Sequence, residues 1–108
     1  MANPTVVNEL SSCYAQATYF DQNGVSYVPQ SVQWRLDDIT NNVAITGWTP
    51  VATPTASDQI AISAASNAMT NANNKLEKRQ VTVQATAPGG ATRYDYITYD
   101  LINLYGVP

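Results

Sequence analysis

The chain has 108 residues, a net charge of −3 and only 12% charged residues. That length makes one domain with a modest core, and the acidic balance argues against nucleic acid, which needs a basic face. No apolar run approaches the roughly 18 residues that span a bilayer, and the start, Met-Ala-Asn-Pro, has no basic or apolar leader, so neither a membrane partner nor a secretory signal is expected.

Residues 1–11 read as an N-terminal arm, because Pro4 interrupts regular structure and Val6, Val7 and Leu10 are its only large apolar groups. Residues 12–108 then form the folded body. Cys13 to Phe20 is the first strand, and the Asn23-Gly24 turn leads to a short return strand, Val25 to Val28, that Pro29 breaks. In Ser31 to Asp38, Val32, Trp34 and Leu36 alternate with Gln33, Arg35 and Asp37, which gives one apolar and one wet face. The indole of Trp34 is expected in the core, together with Val81 and Val83. After a turn at Thr40 to Asn42, Val43 to Trp48 is the next strand, with a bulge at Gly47.

Gln59 to Ser63 is a short strand. Ala61, Ala64, Ala65, Ala68, Met69, Ala72 and Leu76 also fit helical spacing, but Asn67, Asn71, Asn73 and Asn74 favour turns. The reading is a loop with one helical turn, with a short helix as the alternative. Lys78 to Ala87 alternates cleanly, Arg79, Val81, Val83 and Ala85 against Gln80, Thr82, Gln84 and Thr86. Pro88-Gly89-Gly90 turns the chain into a last strand, Thr92 to Asn103. The expected fold is all-β, an immunoglobulin-like β-sandwich of about seven antiparallel strands.

No histidine exists, which removes the commonest general base and the usual nucleophile dyads and zinc sites. The one cysteine, Cys13, has no intrachain partner and reads as a small core hydrophobe. Asp37, Asp38 and Asp58 lack the spacing of a calcium loop and read as solvated strand ends. Lys75-Leu-Glu-Lys-Arg79 reads as a solvated loop entering a strand. No catalytic residue, metal or cofactor is assigned.

The tyrosines carry more. Tyr94 and Tyr96 share one face of the last strand, Tyr99 shares the other with Ile97 and Leu101, and Tyr105 follows. Only one face can meet the core, so the outward pair is a candidate interface. The candidate contact residues are Val6, Val7 and Leu10 of the arm with Tyr94, Tyr96 and Tyr105.

The runs Phe20-Asp-Gln-Asn-Gly24 and Pro29-Gln-Ser-Val-Gln-Trp-Arg-Leu-Asp-Asp38 resemble small immunoglobulin-like structural proteins of tailed bacteriophage virions, of the head decoration or head–tail accessory type. The similarity continues in order through Gly47-Trp-Thr-Pro-Val51, Ile60-Ala-Ile62, Asn67-Ala-Met69, Glu77 to Ala85 and Tyr99-Asp-Leu-Ile-Asn-Leu104. It spans residues 18–104. It implies a non-enzymatic virion component, a capsid decoration or head–tail accessory protein. Its implied partners are other virion proteins, bound in multiple copies per particle. A rival reading is a carbohydrate-binding or adhesion module that displays the tyrosine face.

Overall fold

A computed structural model describes residues 3–104. Seven strands follow in chain order: β1 Val6–Asn8, β2 Cys13–Thr18, β3 Ser31–Asp38, β4 Val43–Pro50, β5 Ser57–Ile62, β6 Leu76–Thr86 and β7 Thr92–Ile102. They form a five-stranded sheet in the order β1-β7-β6-β3-β4 and a two-stranded sheet, β2-β5. The protein is therefore an all-β sandwich. Its order matches the immunoglobulin plan, in which the second and fifth strands face a sheet built on the third, sixth and seventh.

Alternation decides which side chains meet between the sheets. Val32 and Leu36 of β3, Val81, Val83 and Ala85 of β6, and Tyr99 and Leu101 of β7 face Ala15 and Ala17 of β2 and Ile60 and Ile62 of β5. Burying one such branched side chain contributes about 1.5–3 kcal/mol. Trp34 lies on the same face of β3 but is only partly buried, unlike its expected central position. The cause is width: a lid of only two strands leaves the indole at its margin.

Not every pairing is antiparallel. β1 joins β7 in parallel, with Val6, Val7 and Asn8 opposite Asp100, Leu101 and Ile102. The expected arm is thus an edge strand over residues 6–8. Val7 enters the core, while Val6 and Leu10 stay exposed. Two polar bonds close this corner, from the Leu10 N–H to the Asn67 carbonyl at 2.8 Å and from the Leu104 N–H to the Glu9 carboxylate at 2.6 Å.

The expected return strand at Val25 to Val28 is reduced to one bridge, Phe20 to Ser26. The Asp21 carboxylate takes up the Asn23 and Val25 N–H groups, beside backbone bonds from Asp21 to Val25 and from Tyr27 to Tyr19, so a side chain reinforces a very short hairpin. The bulge at Gly47 is present. Trp34 pairs with Thr49 but Leu36 pairs with Thr46, so Arg35 faces both Gly47 and Trp48. The loop after β5 contains one 3-10 turn, Ala65–Asn67, as the asparagines led one to expect.

Candidate functional site

The wet face of β3 and the outward face of β7 lie on the same side of the five-stranded sheet. Cross-strand register sets the rows. Tyr96 is opposite Thr82, which is opposite Arg35; Tyr94 is opposite Gln84, which is opposite Gln33. The Arg35 guanidinium sits 5.6 Å from the centre of the Trp48 ring, which places that indole on the same face. With strands about 4.8 Å apart, Tyr94, Tyr96 and Trp48 flank a strip about 15 Å across.

Tyr94 and Trp48 each have a polar neighbour. The Gln33 amide donates to Gln84, and Gln84 Nε2 donates to the Tyr94 hydroxyl at 3.0 Å. Arg35 makes a two-pronged contact with Asp37 at 2.9 and 2.8 Å, and that contact raises its pKa. The guanidinium is thereby fixed over Trp48. Tyr94 and Tyr96 are 65% and 64% exposed and Trp48 41%. The aromatic area is thus both accessible and restrained.

Of the sequence-based candidates, Tyr94 and Tyr96 come together here. Val6 shares this face of the sheet at the far end of β7, Val7 is buried, Leu10 lies in the loop beyond β1, and Tyr105 is outside the described residues. Sequence reasoning missed Gln33, Arg35, Gln84 and Trp48 as members. Period-2 parity identifies the first three once pairing is known. Trp48 needed the bulge, because without it the indole's face cannot be assigned.

The acidic and basic clusters have a different fate. Asp38, Glu77 and Arg79 are fully buried at the end of the sandwich away from Tyr94, which corrects their reading as solvated groups. Glu77 accepts from the N–H groups of Thr70 and Asn71 at 2.9 and 2.8 Å, from the Asn41 and Asn74 amides at 2.7 and 3.2 Å, and from Arg79 at 3.0 Å. Arg79 also donates to the carbonyls of Ser66 and Ala68 at 2.8 and 2.7 Å. Asn67 donates to the Ser11 carbonyl at 2.7 Å and accepts from the Tyr99 hydroxyl at 2.6 Å.

Burial pushes the Glu77 carboxyl up, but bonds from Thr70, Asn71, Arg79 and Asn74 outweigh it and hold its pKa below the ordinary value. Asp38 follows the same pattern: burial raises it, while Asn41, Thr70 and the Arg79 charge outweigh burial and hold it below the ordinary value. Tyr99 is raised, chiefly by burial. Asp38, Glu77, Arg79 and Asn67 thus find their partners in one another, in Tyr99 and in the loop groups around them.

Asp58 is also buried, where it accepts from the Tyr19 hydroxyl at 2.9 Å and from Thr55. Burial and this bond raise the Tyr19 pKa. Asp37, Asp38 and Asp58 therefore each have a separate structural partner. Among the described residues, no three acidic, cysteine or histidine side chains converge as a metal site would require. Cys13 is partly buried and packs against the core.

A cleft of ≈ 280 Å3 opens between β2 and the first half of β7, lined by Tyr19, Phe20, Tyr27, Arg93, Asp95 and Ile97 among others. Its floor is the core edge at Val83 and Ala85.

Fold and face together define an immunoglobulin-like sandwich that presents a restrained aromatic strip. Comparison of this chain with known protein families, curated proteins and solved structures finds no match.

Proposed function

We propose that the protein is a non-enzymatic structural component of a tailed-phage virion, a capsid decoration or head–tail accessory subunit that binds other virion proteins in multiple copies. The resemblance of residues 18–104 to such proteins supplies the setting. The observation that carries the contact is the strip of Tyr94, Tyr96, Arg35 and Trp48. Tyrosine, tryptophan and arginine are the side chains that dominate protein interfaces. Here they stand on one sheet face, with Tyr94 held by Gln84 and Arg35 by Asp37, so these two side chains lose little rotamer freedom on contact.

The test is composition of purified particles. A virion subunit is present in stoichiometric amount, and Tyr96→Ala with Trp48→Ala lowers its occupancy while circular dichroism of the free variant is unchanged. Absence from particles, or full occupancy of the variant, overturns this reading.

The carbohydrate-binding alternative rests on the same juxtaposition of the Tyr94 ring and the Gln84 amide, a stacking plane beside a hydroxyl partner. Binding of the isolated protein to a glycan array, lost in Tyr94→Ala, would favour it.

A further inference from the structure

The two edges of the five-stranded sheet are not equivalent. Among the described residues, β1 covers β7 only at Asp100 to Ile102, and Thr92 to Thr98 of β7 has a strand, β6, on one side alone. The Asp100 N–H points to β1, where it donates to the Thr5 carbonyl at 2.9 Å. Strand parity then turns the N–H and C=O groups of Thr92, Tyr94, Tyr96 and Thr98 toward the open edge. The Arg93 and Asp95 side chains project to the cleft side. Among the described residues no strand takes up these outward groups of Thr92, Tyr94 and Tyr96, and an aromatic-rich strand with such an edge is a template for another strand.

We propose that this edge is the seam of a symmetric dimer, in which β7 of one copy pairs antiparallel with β7 of a second copy about a two-fold axis at Tyr94. The charges select the occupant and the register. An axis at Arg93 would set Arg93 against Arg93, and one at Asp95 would set Asp95 against Asp95. An axis at Tyr96 would extend the pairing to Asp100, whose N–H already belongs to β1. With the axis at Tyr94, Arg93 of each copy lies opposite Asp95 of the other, twice over. Both are exposed, and both fall in non-hydrogen-bonded positions, where facing side chains approach most closely.

In the single copy, Asp95 Oδ1 accepts from the Tyr96 N–H at 2.8 Å and Arg93 donates to Gln22 at 3.0 Å. The Asp95 contact covers one outward donor of the edge. In the dimer the Tyr96 N–H passes to the Thr92 carbonyl of the second copy, and Asp95 turns to Arg93 of that copy. The two five-stranded sheets become one sheet of ten, and the tyrosines of both copies form one continuous face. The dimer extends the proposed contact strip without depending on it.

Sedimentation equilibrium on the full chain at about 100 μM tests the seam, a concentration that populates even a weak dimer. The expected result is a dimer, with Arg93→Asp or Asp95→Arg alone raising the Kd at least about tenfold by placing like charges opposite each other. The combined swap, R93D with D95R, restores dimerisation. A monomer at every concentration, single variants that dimerise normally, or a double variant that stays monomeric would each overturn the proposal. The variants sit off the aromatic strip, so particle occupancy of a monomeric variant reads the functional proposal separately.

Discussion

The two ends of the sandwich solve the same packing problem in opposite ways. At one end, Asp38, Glu77 and Arg79 are withdrawn from water, Glu77 and Arg79 bind the 63–76 loop, and the loop's own Asn67 reaches Ser11 and Tyr99. At the other, β7 runs past its neighbour strand, a cleft reaches the core edge, and Tyr94 and Tyr96 stand in solvent. The first end spends its polar groups on holding the loop, and the second leaves its groups available to a partner. On the proposed function, stability and recognition are separated along the length of the strands, and substitutions at the two ends should have different consequences.

The largest effect is expected at the closed end. Arg79→Ala removes the cation between two buried carboxylates and three loop groups, and should cost about 3–5 kcal/mol in denaturant unfolding. A loss under about 1 kcal/mol would mean that the network adds little to the fold. Asn67→Ala removes the acceptor of the Tyr99 hydroxyl and the donor to the Ser11 carbonyl and should cost about 2–3 kcal/mol by the same measurement.

Acid should act on the same end. Asp38 and Glu77 have pKa values lowered by folding, so their contribution is fully present above the unfolded-state pKa of about 4. It is lost as pH falls through their lower folded values. The melting temperature should therefore drop below about pH 4, and Glu77→Gln should flatten that drop. The smallest effect belongs to the open end. Tyr94→Ala and Tyr96→Ala should each shift unfolding by no more than about 0.5 kcal/mol, since both rings are largely in water. A larger loss would show that the aromatic strip is part of the fold's support.

Much of the fold was legible because local alternation suffices for it. The strands around Val32 to Leu36 and Val81 to Ala85 follow period 2, and the asparagines of the 67–74 segment marked a loop. The burial of Arg79 was written in the same pattern, on one face with Val81 and Val83. Residue type argued for solvent, and only the donors and acceptors gathered by the loop make burial tolerable. Trp34 shows the converse: its face was readable, but the width of the opposing sheet was not. The β1–β7 pairing joins three residues near one end of the sequence to three near the other, which no local pattern specifies.

For the site, the outward direction of Tyr94 and Tyr96 followed from parity, whereas the row that links them to Gln84, Gln33 and Arg35 required register. Trp48 required the bulge. Sequence thus named the aromatic half of the strip and left its polar supports among residues that looked like ordinary wet-face positions.

The parallel course of β1 along β7 also sets how the domain bears load. Tension applied through the chain before β1 and after β7 pulls the two strands in opposite directions along their shared axis. The bonds from Asp100 to Thr5 and from Glu9 to Ile102 are then strained together in shear, instead of being peeled open one at a time. A sandwich closed in this manner resists extension along its length with its shortest strand as the clasp.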